Sequence, residues 1–125
     1  PISNPIFKVM RKNLPGPFTF VLNSNHQVPK LFKNKKRTIG IRIPDNPVSQ
    51  AIVNTLQRPL LTLSLKSDDQ IAEYYTDPED FKDEFNKLVD IVIDSGPGRN
   101  VPSTVVDCTG EEPLLIREGA GILAI

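Results

Sequence analysis

Seven hydroxyl and cationic side chains stand at places where a chain can present them to an anion. Thr19 follows the turn Leu14-Pro15-Gly16-Pro17 and opens the apolar run Phe18-Thr19-Phe20-Val21-Leu22. Pro fixes φ, Gly relaxes it, and a second Pro removes an N–H, so the turn is rigid and poor in donors. Arg42 alternates with Ile39, Ile41 and Ile43, which puts it on the strand face opposite the isoleucines. A guanidinium there meets either a carboxylate such as Asp107 or the phosphate or carboxylate of a ligand. Ser64 and Lys66 are two residues apart at the end of the run 60–65, so they share a face. A hydroxyl beside an ammonium suits an anion, and a strand end reaching water is the plainer reading. Ser103 and Thr104 follow a Gly/Pro-rich turn and open another strand, where two hydroxyls and free N–H groups can surround an oxyanion. Arg117, before Glu118-Gly119, has the same two readings as Arg42.

These residues need elements to carry them. Asn4-Pro5, Asn46-Pro47 and Asp77-Pro78 each place an Asn or Asp before a Pro. Such a residue caps free N–H groups while Pro occupies the first helical position, so three helices are expected. The first turns Ile6, Phe7, Val9 and Met10 inward, the second Val48, Ala51, Ile52 and Leu56, and the third Phe81, Phe85, Leu88 and Val89. Strands are expected at 18–22, 39–43, 60–65, 91–93, 101–107 and 114–117, the last two joined as a hairpin through 109–113. Residues 67–76 show no periodicity and read as a loop able to act as a lid. Helices interleaved with strands give an α/β mixed sheet.

The totals fit one domain over 1–125. Hydrophobic residues make up 38% and charged residues 24%, the balance of a globular chain rather than a membrane span or a disordered segment. A single cysteine, Cys108, excludes an internal disulfide and fits a reducing compartment such as the cytoplasm. One His and one Cys, far apart, cannot build a usual zinc site, and no metal site is expected. His26 lies in a polar loop, and Cys108 reads as an inert buried thiol. No phosphate-binding glycine pattern and no catalytic triad spacing is present. The net charge of zero conceals a division. Residues 1–66 hold eleven Lys/Arg against one acid, and 67–125 hold four against fourteen. Lys30, Lys33, Lys35, Lys36 and Arg37 concentrate the positive charge and suit phosphates or nucleic acid; a solvated surface balancing the acidic helix is the other reading.

In order along the chain stand Pro15-Gly16-Pro17-Phe18-Thr19, Thr38-Ile39-Gly40-Ile41-Arg42-Ile43-Pro44 before Asn46-Pro47, the run 59–64, Ser103-Thr104-Val105-Val106-Asp107 and Ile116-Arg117-Glu118-Gly119. With these motifs the chain resembles the YrdC/YciO family, whose best-known members are threonylcarbamoyl-AMP synthases. The resemblance implies a twisted mixed α/β sheet with flanking helices and a large, positively lined cavity. It implies ATP, threonine and bicarbonate as substrates, with Mg2+ accompanying the ATP, and an adenylate that feeds a tRNA modification. It implies Thr19, Arg42, Ser64, Ser103, Thr104 and Arg117 as nucleotide and substrate contacts. Double-stranded RNA or tRNA is the alternative partner, and a regulatory AMP-binding module a third reading. Two departures stand out. Lys66 replaces an Asn of the synthases and can only donate hydrogen bonds, which places the chain nearer the YciO branch. The family's N-terminal stretch, with a Lys and an Arg near the nucleotide, has no match here, so a partial domain is expected. Such a chain is expected to be inactive alone and to leave a sheet edge open.

Overall fold

The rigid turn at Pro15-Gly16-Pro17 delivers the chain into β1 (Phe18–Asn23), and Phe18, Phe20 and Leu22 alternate inward as the sequence requires. In the computed structural model, which describes residues 2–30, 35–65 and 76–125, the elements run α1 (Asn4–Asn13), β1, β2 (Thr38–Ile41), α2 (Pro47–Leu56), α3 (Pro78–Phe85), β3 (Thr104–Asp107) and β4 (Leu114–Arg117). The sheet order is β2-β1-β3-β4. β1 is parallel to β3, with Phe18 level with Thr104, and antiparallel to β2, with Phe20 level with Ile41. β4 returns antiparallel to β3 as the expected hairpin. This is the mixed α/β sheet the sequence implied.

The chain divides into two compact units, one of Pro1–Gln50 with Pro102–Ile125, the other of Ala51–Val101. The first holds the whole sheet and its core. Ile6 and Val9 of α1 pack with Phe18, Phe20, Leu22, Val106 and Cys108, and Met10, Leu14, Ile39, Ile41 and Leu123 close the margin. Phe20 and Val106 have no exposed surface. Burying a side chain the size of Phe20 contributes about 2–3 kcal/mol. One face of the sheet is thereby spent on α1, and the other keeps Thr19, Val21 and Val105 only half-buried.

Several local details differ from the sequence reading. α1 is capped by Ser3, whose hydroxyl accepts from the Ile6 N–H at 3.5 Å, rather than by Asn4. Asn46 and Asp77 cap their helices as expected, accepting from Val48 and Ser49 and from Glu79, each at 3.0 Å. Phe7 lies outside the apolar stripe of α1 and is 54% exposed. α2 buries none of its residues, with Val48 and Ile52 half-buried and Ala51 and Leu56 exposed. α3 stops at Phe85, where an Asn86–Leu88 turn replaces helix and leaves Leu88 and Val89 exposed. β2 ends at Ile41, because the Ile43 carbonyl turns to accept from Gly16 and Pro44 has no N–H to offer. The runs 60–65 and 91–93 are not strands, since strand structure needs a hydrogen-bonded neighbour and they have none among the described residues. The suggested lid lies, Thr76 apart, outside the described residues. No helix among the described residues is long and apolar enough to cross a membrane.

Candidate functional site

Strand direction gathers the hydroxyls and guanidiniums at one end of the sheet. β1 and β3 are parallel and begin side by side, and β2 and β4, antiparallel to them, end there. Thr19 is the second residue of β1 and faces away from the core. Ser103, just before β3, brings its Oγ to 2.7 Å from Thr19 Oγ1, and the two hydroxyls share a hydrogen bond. Arg117, the last residue of β4, pairs with Val105 and donates from Nη2 to the Ser103 carbonyl at 2.8 Å. A hydroxyl pair with one proton uncommitted thus adjoins an exposed guanidinium with further N–H groups to offer. Such a set can hold a phosphate or carboxylate. Arg42 directly follows Ile41, the last paired residue of β2, which stands level with Phe20, and its side chain is exposed. Asp107, the acid suggested as its partner, belongs to the other end of β3, level with Val21.

Thr104 is adjacent in sequence but turns into the core, 1% exposed. Its hydroxyl accepts from the N–H groups of Gly119 and Gly121, each at 3.0 Å, and donates to the Gly121 carbonyl at 2.6 Å. Ser64 is exposed in the second unit, outside any strand. Lys66 lies outside the described residues. Lys30, Lys35, Lys36 and Arg37 are exposed on the connection between β1 and β2, at the end of the sheet away from Thr19; Lys33 lies outside the described residues. His26 is exposed, and Cys108 is buried. Burial, and next the charge of Asp107, push the Cys108 thiol pKa up, which keeps it neutral. Hydrogen bonds from the Thr109 side chain, then its backbone, hold the Asp107 carboxyl below its ordinary value, and Lys36 adds to this. Among the described residues no group of three or more His, Cys, Asp or Glu could hold a metal ion.

Residue type alone did not mark two glycines that shape this end of the sheet, or an asparagine that clamps the chain beyond them. A Cβ on Gly119 would stand 2.6 Å from the Ser103 carbonyl carbon and press on the Pro102 carbonyl. A Cβ on Gly121 would meet the Phe18 ring at 2.5 Å. Asn13, buried at the end of α1, donates to Ala124 O at 2.7 Å and accepts from its N–H at 2.9 Å. A buried Asn closing a helix is the one sequence signal for that clamp.

The Sua5/YciO/YrdC family model, described as telomere recombination, matches residues 1–119. This chain belongs to that family. Over 122 residues it is 39% identical to the YciO protein of Escherichia coli strain K12, covering 96% of this chain and 58% of that protein. It is 28% identical over 106 residues to the threonylcarbamoyl-AMP synthase of Pyrococcus abyssi, covering 84% of this chain and 31% of the synthase. The crystal structure of E. coli YciO superposes with a TM-score of 0.87 at 38% identity, over 97% of this chain and 59% of that one. The crystal structure of P. abyssi Sua5 complexed with L-threonine gives 0.75 at 26% identity, over 95% and 35%. The chain thus spans under two thirds of the length of these relatives, and family members include threonylcarbamoyl-AMP synthases.

Proposed function

We propose that this chain supplies the ATP- and threonine-binding end of a Sua5/YciO-type domain, and that the complete protein makes threonylcarbamoyl-AMP. The observation that carries the reading is the Thr19–Ser103 hydroxyl pair with Arg117 seated on the Ser103 carbonyl. The threonine named with the P. abyssi structure and the synthase relative support it. In this reaction the threonine amine takes up bicarbonate, losing water, to give a carbamate. The carbamate oxygen attacks the α-phosphate of ATP, and pyrophosphate leaves. Arg117 and Arg42 would hold negative charge on the substrates, while the hydroxyl pair donates its free proton to an oxygen and fixes the ligand's orientation. Mg2+ entering with ATP would neutralise phosphate charge.

The natural full-length protein carrying these residues, given ATP, L-threonine, bicarbonate and Mg2+, is expected to yield threonylcarbamoyl-AMP by mass spectrometry. If it yields none where a true synthase does, and a Lys66→Asn variant restores the product, the chain belongs to a branch that kept the site and changed its use. If neither makes the adenylate nor binds ATP or threonine, the reading is wrong.

The exposed Lys30, Lys35, Lys36 and Arg37 on one connection favour a second reading, binding of structured RNA. It requires RNA affinity that falls steeply with salt, and no RNA binding at low salt would remove it.

A further inference from the structure

We infer that Thr104 is a positioning residue, which holds Arg117 and Ser103 in place through the backbone of Gly119 and Gly121 and does not itself touch the ligand. The inference rests on the reading that the ligand sits at Thr19, Ser103 and Arg117. A threonine hydroxyl has one proton and two lone pairs. Here all three are engaged by the 119–121 backbone, and the side chain is 1% exposed. Nothing is left of that hydroxyl for a substrate.

What it grips is the segment that leaves β4. Gly119 lies so close to Pro102 and Ser103 that a side chain has no room, and the Ala120 N–H donates to the Pro102 carbonyl at 2.9 Å. Residues 102–104 and 119–121 therefore form one hydrogen-bonded layer. Arg117 stands two residues upstream of Gly119, and its guanidinium ends on the carbonyl of Ser103, the residue before Thr104. The loop closes from Thr104 to Gly119, to Arg117, to Ser103 and back to Thr104. Without the Thr104 hydroxyl, two N–H groups and a carbonyl lose their partner, and the Arg117 end of the loop is free to drift.

The test uses the natural full-length protein and isothermal titration with ATP and with L-threonine. Thr104→Val keeps the shape and removes the hydroxyl; Thr104→Ser keeps the hydroxyl. Asn13→Ala loosens the same C-terminal segment at Ala124, three residues beyond Gly121. Thr104→Val is expected to weaken binding by about tenfold, the scale of one lost hydrogen bond or somewhat more. Thr104→Ser is expected to bind as wild type, and Asn13→Ala to melt earlier with unchanged affinity. Folded Thr104→Val that binds as wild type overturns the inference, as does Asn13→Ala weakening affinity equally. Should Thr104→Val not fold, hydrogen exchange in the wild type decides. Ligand is expected to slow exchange at the Gly119 and Gly121 amides, and unchanged rates overturn the inference. Wild-type protein that binds neither ligand overturns the functional reading itself, and the inference with it.

Discussion

Gly119→Ala tests how tightly the segment after β4 is laid on the start of β3. The new methyl would stand 2.6 Å from the carbonyl carbon and oxygen of Ser103, whereas ordinary contact begins at 3.4 Å. The backbone must therefore move by at least about 0.8 Å, the difference of the two, and further from the still closer Pro102 carbonyl, because Pro102 and Ser103 present main chain that cannot turn aside. Added to the 3.0 Å bond from the Gly119 N–H to Thr104, that shift breaks it. Overpacking of this kind costs about 1–3 kcal/mol, and the hydrogen bond about 1 more. Alanine returns about 0.5–1 kcal/mol by restricting the unfolded chain, so a net loss of about 1–3 kcal/mol is expected. With a urea slope of about 1–3 kcal/mol/M, the unfolding midpoint drops by about 1 M. Gly110→Ala is the control, since nothing lies within 4 Å of its would-be Cβ, and its midpoint should hold or rise slightly. Coincident midpoints for the two variants would refute the close packing of 119 on 102–103.

Phe20→Ala, at a site with no exposure, should cost about 3–5 kcal/mol and lower the thermal midpoint by many degrees; a shift of a degree or two would show that Phe20 is not the centre of the core. Asp107 has a lowered pKa when folded, so the unfolded chain binds more protons in acid. Its contribution is present above the ordinary value of 3.8 and fades as pH falls through the lower folded value. Asp107→Asn should thus lose stability at neutral pH and show a shallower acid-side loss, read from urea midpoints across that range; parallel pH profiles would contradict this. The Cys108 thiol, buried and pushed up, should react with iodoacetamide slowly when folded and rapidly in urea, and equal rates would show it is accessible.

Local grammar carried well from sequence to structure. The Pro-Gly-Pro turn into β1, two of the three caps and the final hairpin depend on neighbours within a few residues, and each formed where expected. The runs 60–65 and 91–93 failed as strands because apolarity does not supply a hydrogen-bonding neighbour. Arg42 was read as mid-strand from the alternation of three isoleucines, but Pro44 and the Gly16–Ile43 bond end the pairing before it. Thr19, Ser103 and Arg117 were visible by type, and only the pairing of β3 with β1 on one side and β4 on the other brings them together. The inward turn of Thr104 follows from the same pairing, which puts it level with Phe18. A dipeptide of two hydroxyls cannot say which one faces the core.

The site itself is tested most directly by amide chemical shifts during titration of the natural protein with ATP and with L-threonine. Shifts concentrated at Thr19, Ser103, Val105 and Arg117, with Leu22 and Asp107 at the far end of the strands quiet, are the predicted result. Shifts confined to the basic connection around Lys35, Lys36 and Arg37, or none at all, would contradict it.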